Sequence, residues 1–150
     1  MRLTSYTDYS LRVLIYLSIR DREELATIQE IADHYNISKN HLMKVVYELG
    51  KAGYLVNIRG RNGGLKLARR PEDIRVGDVI RDMEEDFHTV ECFDPTKNAC
   101  IISPACRLKN VLHEALTAYF DVLDRYTLAD LVVDKERLKQ LFAERTKKDG

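Results

Sequence analysis

A chain of 150 residues with 45% hydrophobic and 32% charged side chains fits one ordinary domain, or a small domain with an appendage, and excludes a disordered polymer. No stretch reaches the ~20 apolar residues of a membrane span. The apolar run at residues 11–19 carries Arg12 and no small-residue cleavage site, so the expected location is the cytoplasm. Formal net charge is zero, yet residues 1–75 hold 13 Lys and Arg against 9 Asp and Glu, and residues 76–150 hold 11 against 15. That asymmetry leaves open a nucleic-acid face on the front half or a merely solvated basic surface.

Residues 8–20 read as the first helix, with Leu11, Leu14, Ile15 and Leu17 close to one face. Asp8 stands where it would cap that helix. Thr27 and Glu30 have capping-box spacing, which predicts a second helix from about Ile28 with Ile31, Ala32 and Tyr35 inside. Asn36 tolerates the left-handed conformation needed to leave it. Ser38 can cap a third helix, in which Leu42, Val45, Val46 and Leu49 repeat at helical spacing and Gly53 supplies a stop. Two short helices joined so tightly form a helix-turn-helix. The polar side of its second helix carries Ser38, Lys39, Asn40, His41 and Lys44.

"YLVNI" and "LKLAR" read as short strands, and "RGRNGG" between them has the glycines of a tight hairpin. Arg59 and Arg61 fall at its tip with Asn62 and Gly63, where no core needs a basic side chain. Residues 37–71 hold eight basic side chains and one acid, Glu48. A hairpin directly after the second helix makes a winged helix-turn-helix, whose helix enters the major groove while the wing reaches phosphates or the minor groove.

"VGDVIRDME" is expected to be a short helix. The seven acids from Asp78 to Asp94, with Arg81 as the one base, read as a solvated surface. Ser103 and Pro104 have the pattern of a cap and a first helical residue. The helix so launched would run about six turns, with Leu108, Val111, Leu112, Ala115, Leu116, Tyr119, Phe120 and Leu123 at spacings of three and four. Its length and apolarity predict packing on a partner copy as well as on its own domain. Thr127 caps another short helix, and the charged remainder is expected to be weakly helical and frayed at its end. The expected class is mainly α with a small β wing: a winged helix-turn-helix over 1–76, a short helix and cysteine loop over 77–103, dimerisation helices over 104–133 and a charged tail over 134–150.

All three cysteines, Cys92, Cys100 and Cys106, lie in "ECFDPTKNACIISPAC". In a reducing compartment clustered thiols more often bind metal or do redox chemistry than form disulfides. They are separated by seven and five residues, so no C-x-x-C dithiol exists, and zinc sites usually use closer pairs. Three thiolates on one loop can wrap an iron–sulfur cluster, which needs a fourth ligand or a labile site. His88, His113, a carboxylate or a group from elsewhere in the fold could complete it. The alternative is three unconnected thiols, with Cys106 packing in its helix.

Taken together, "LTSYTDYSLRVLIYL", "ISKNHLMKVV", "RGRNGG", "CIISPACRLK" and "YTLADLV" resemble the bacterial winged-helix iron–sulfur repressors, and among these the nitric-oxide-sensing branch, over residues 2–133. The joint occurrence of wing and cysteine motif is specific. The resemblance implies a homodimer that binds double-stranded operator DNA through the helix beginning at Ser38 and the wing. It implies that Cys92, Cys100 and Cys106 hold the cluster and that Asp8 can complete a four-iron four-sulfur cluster from the opposite subunit, with a two-iron two-sulfur cluster as the alternative. The expected function is repression released by nitric oxide; a repressor of the same fold sensing iron, cluster supply or thiol oxidation is the alternative. A thiol redox enzyme is disfavoured by the missing C-x-x-C pair and the lack of a general base beside a cysteine. A winged fold serving only protein interaction is disfavoured by the basic, glycine-rich wing.

Overall fold

Thr4, not Asp8, opens the first helix, α1 (Ser5–Ser18). Its backbone is extended, and its Oγ1 accepts the Thr7 N–H at 3.3 Å. Asp8 lies one residue beyond the reach of a cap and pairs with Arg12 at the next turn instead. The computed structural model describes residues 1–148 and shows seven α-helices and one two-stranded sheet among them.

The front half follows the expected pattern closely. In α2 (Ile28–Tyr35) the capping box closes in both directions, Glu30 N–H to Thr27 Oγ1 at 3.1 Å and Thr27 N–H to Glu30 Oε2 at 3.3 Å. Asn36 ends it at φ 53°, the left-handed region. Ser38 occupies the N-cap position of α3 (Lys39–Lys51) but its hydroxyl makes no cap bond, so it stays exposed at the outer surface. Strand β1 (Leu55–Ile58) pairs antiparallel with β2 (Gly64–Leu67), Leu55 opposite Leu67 and Ile58 opposite Gly64. Ala26, just ahead of α2, exchanges two backbone bonds with Leu65 at 3.0 and 2.7 Å and ties the wing's base to the helices. A Cβ at Gly63 would meet the Ile58 carbonyl at 2.1 Å, so the turn closes only on glycine.

One core joins α1, α2, α3, the sheet and α4 (Val76–Met83). Leu14, Ile31, Leu42, Leu49, Leu65 and Val79 are essentially inaccessible, each stabilising the fold by ~1.5–3 kcal/mol through burial. The buried side of α1 is broader than the Leu11–Leu17 stripe: Val13 and Tyr16 are buried, while Leu11 and Ile15 are only partly covered. Two later residues, Leu128 of α6 (Leu128–Leu131) and Val132, also enter the buried interior.

The acids from Asp78 to Asp94 are mostly exposed, as expected, yet several of them also hold a partner. Tyr54 donates its hydroxyl to Asp82, the Thr4 N–H reaches Glu84 at 2.7 Å, and the Ala99 N–H reaches Glu91 at 2.6 Å. Asp94 accepts both the N–H and the hydroxyl of Thr96 at 2.9 and 2.6 Å, and these bonds hold its carboxyl below the usual range. Glu84, Glu91 and Asp94 thus hold backbone N–H groups that no helix or sheet satisfies.

The long helix starts later than the sequence pattern places it. Ser103–Ala105 forms a single 3-10 turn, and α5 is Arg107–Leu123, 17 residues and just under five turns at ~3.6 residues each. The Ser103 hydroxyl is already taken by the Asn98 side chain at 3.0 Å, and the extended backbone of Cys106 puts that cysteine at the N-cap position. No residue of α5 is buried. Its far end is clamped to α4: Arg81 holds both Asp124 oxygens at 2.7 Å and lies 4.4 Å over the Phe120 ring, which meets Phe87 edge-on at 4.7 Å. The Arg81 guanidinium keeps the Asp124 carboxyl below its ordinary range.

The charged C-terminal segment is helical as expected, α7 (Lys135–Lys148); residues 149–150, at the end where fraying is expected, lie outside the described residues. A single aromatic seats it. Phe142 packs edge-on against Tyr16, His34 and Tyr35 at 5.0, 5.5 and 5.2 Å. No described helix is long and apolar enough to cross a membrane.

Candidate nucleic-acid interface and cysteine loop

Helix α3 separates its two sides cleanly. Leu42, Val45, Val46 and Leu49 are buried, while Ser38, Lys39, Asn40, His41 and Lys44 are all exposed on the outer side. Met43 and Tyr47, 50% and 67% exposed, extend that same side at spacings of four from Lys39. Sequence reading passed over them because apolar side chains on a helix are assigned to the core by default. Beyond α3 the wing places Arg59, Arg61 and Asn62 in solvent, while Gly63 is part of the turn's closure, its N–H on the Gly60 carbonyl at 3.0 Å.

The start of α1 reaches this face. The Tyr6 hydroxyl donates to the Lys44 carbonyl at 3.3 Å, and the Tyr9 ring lies 6.4 Å from that of His41. Asp8 is next to Tyr9. Its carboxylate is about half exposed and takes a two-point grip from Arg12, Nη2 to Oδ2 at 2.8 Å and Nε to Oδ1 at 3.2 Å. The Arg12 guanidinium in turn lies over the Tyr9 and Tyr35 rings at 5.7 and 5.9 Å, and the Tyr35 hydroxyl donates to the Arg12 carbonyl at 2.9 Å. Burial pushes the Tyr35 hydroxyl well above its ordinary range, so it remains a donor.

The three cysteines lie between α4 and α5 in a loop tied to itself. The 3-10 turn Glu91–Phe93 contains Cys92. The Glu91–Ala99 bond draws the neighbours of Cys92 and Cys100 together, and Asn98 accepts the Cys100 N–H at 3.1 Å while donating to Ser103. All three thiols are free, Cys92 and Cys106 partly covered and Cys100 exposed. Among the described residues no three His, Cys, Asp or Glu side chains converge on one point as a single-ion site would need. The candidate histidines differ. His88 sits between Asp86 and Asp94 at 3.8 and 4.0 Å, whereas His113 on α5 faces the Phe93 ring edge-on at 6.0 Å. His88, Cys92 and His113 line one cleft of ≈ 700 Å³; Cys100, Cys106 and Asp8 do not border it.

Comparison with known proteins agrees with this architecture. Residues 3–134 match the Rrf2 family model, described as an iron-dependent transcriptional regulator. The chain is 60% identical over 142 residues to the HTH-type transcriptional regulator NsrR of Bacillus subtilis, covering 95% of this chain and 97% of that one. It is 58% identical over 143 residues to the regulator of the same name from Bacillus licheniformis, covering 95% and 100%. Among solved structures, T. potens IscR superposes with a TM-score of 0.73 at 28% identity, covering 92% of this chain and 90% of that one. The oxidised form of Staphylococcus aureus CymR gives 0.69 at 28% identity, covering 87% and 95%. A family match over most of the chain, an exposed basic recognition helix and a wing lead to one conclusion: the chain belongs to the Rrf2 family, as a DNA-binding transcriptional repressor of winged-helix fold and not an enzyme.

Proposed function

We propose that this repressor holds an iron–sulfur cluster on Cys92, Cys100 and Cys106, completed by Asp8 of a second copy, and that nitric oxide acting on the cluster releases operator DNA. The observation that carries this is the cysteine loop: three unpaired thiols in one self-tied segment that ends directly at the first residues of α5. Soft thiolates suit iron–sulfur binding, and three of them on one loop can wrap a cluster. The cluster type is four-iron four-sulfur, with two-iron two-sulfur as the alternative. When bound, it supplies the iron that reacts with nitric oxide.

The chain's own residues do the rest. Ser38, Lys39, Asn40, His41 and Lys44 meet base edges and phosphates in the major groove, while Arg59, Arg61, Asn62 and the backbone at Gly63 approach phosphates or the minor groove. A second copy covers α5, whose Leu108, Val111 and Val122 are 61%, 57% and 44% exposed. Asp8 passes its state to the recognition helix through Arg12, Tyr9 and His41, and the loop passes its own through α5 to the Arg81 clamp on α4. A repressor sensing iron, cluster supply or thiol oxidation is the second reading, favoured by the exposed Cys100 thiol.

Protein purified without oxygen is expected to contain iron and acid-labile sulfide in equal amounts, with charge-transfer absorption in the visible. Cys92→Ala, Cys100→Ala and Cys106→Ala should each lose most of it. Absence of sulfide from the parent protein would rule out the cluster and leave only sensing of iron or thiol oxidation. On the DNA side, Arg61→Ala should keep the fold and weaken operator binding by ~1–3 kcal/mol, roughly 5–150-fold, in a mobility-shift titration. Parent-like binding by that variant would remove the wing from the mechanism.

A further inference from the structure

The basic end of α7 has no place in the mechanism above, and its position gives it one. Helix α7 carries Arg145, Lys147 and Lys148 in its last turn, in the half of the chain where acids outnumber bases 15 to 11. It is held in register by Phe142 in its aromatic seat, and Thr146 Oγ1 lies 3.0 Å from His34 Nε2. His34 belongs to the last turn of α2. In a helix-turn-helix that first helix crosses the DNA backbone while the second enters the groove. Only Tyr35, Asn36 and Ile37 separate His34 from Ser38, where the recognition helix begins. Lys147 and Lys148 directly follow Thr146 and are exposed.

We infer that the last turn of α7 is a further DNA-binding surface, in which Lys147 and Lys148 contact phosphates flanking the groove that α3 occupies. The partner is duplex DNA because the cations end a helix packed against α2, the helix that crosses the DNA backbone in this fold, and a dense row of phosphates complements them in charge. Such contacts position a protein without reading sequence, so they raise affinity for every duplex alike. Each is also paid back in salt dependence, since every phosphate neutralised releases counterions.

The inference goes beyond the cluster and rests on the assignment of α3 to the major groove. The test uses the full chain as a Lys147→Gln, Lys148→Gln variant, with affinity for operator and for an unrelated duplex measured across a salt series. Each contact given up lowers the slope of log affinity against log salt by about 0.9, so a loss near 2 per protomer is expected on both duplexes. Phe142→Ala, which unseats α7 while keeping both lysines, should lower the slope in the same way. The double lysine variant leaves the seat intact and decides by itself: an unchanged slope and affinity with an unchanged circular dichroism spectrum overturn the inference, and so does a loss confined to the operator. A parallel Lys39→Gln, Lys44→Gln variant tests the groove assignment separately, because its slope falls whether or not α7 takes part.

Discussion

Titrating the cluster-loaded protein with nitric oxide in the absence of oxygen is expected to weaken operator binding by up to roughly 150-fold, in step with loss of the cluster's absorbance. Coupling of ~1–3 kcal/mol is typical between linked sites, and this chain has two routes to carry it. The first runs through Asp8. If Asp8 completes the cluster as proposed, it would be the ligand most readily given up, because a carboxylate is a harder, weaker partner for iron than a thiolate. Without a cluster Asp8 pairs with Arg12 at 2.8 Å, and Arg12 lies against Tyr9, whose ring neighbours His41 on α3. The second runs through the loop. Cys106 directly precedes α5, and α5 is clamped to α4 at its other end by Arg81, Phe120 and Asp124, so slack in the loop becomes rotation of a rigid rod. A palindromic operator needs two recognition helices ~34–36 Å apart or a multiple of that, so a small rotation spoils one half-site. Absorbance that collapses while operator affinity stays constant would show that the cluster is not the switch.

Mixing an Asp8→Ala chain with a Cys100→Ala chain is expected to restore cluster binding that neither variant achieves alone. In the hybrid dimer one site has three cysteines from the first chain and Asp8 from the second, while the other site lacks both Cys100 and Asp8. Iron and sulfide should therefore return to about one site per dimer. The geometry that motivates this is local: within one chain Asp8 is engaged by Arg12 on α1 and does not border the cleft that Cys92 lines. If both parent variants fail to hold an intact cluster and the hybrid recovers none, the ligand does not come from the opposite subunit.

Local chemistry made most of the front half legible. A capping box, a left-handed Asn36 and a glycine hairpin each act over four residues or fewer, so Thr27, Glu30, Asn36, Gly60 and Gly63 could be read where they stand. Several departures from the expected pattern turn on a hydrogen bond or ion pair that the spacing of residue types does not announce. Thr4 is tied to Glu84 as well as to Thr7, which fixes where α1 begins and leaves Asp8 to Arg12. The Ser103 hydroxyl accepts from the Asn98 side-chain amide instead of capping a helix, and α5 begins only at Arg107. The acids from Asp82 to Asp94 looked idle because their partners, Tyr54, Thr4 and Ala99, lie far off in sequence or have no side-chain signal at all.

The winged helix-turn-helix, the outer side of α3 and the gathering of three thiols in one loop were thus readable before folding, because each depends on short-range spacing along the chain. Only the tertiary structure decided that the loop is stapled by Glu91, that α5 is anchored through Arg81 to α4, and that Phe142 brings a charged C-terminal helix onto α2. A lone phenylalanine among charges carries no periodic pattern to read. It acquires meaning only when Tyr16 and His34, 18 residues apart in the chain, are folded into one aromatic seat with Tyr35.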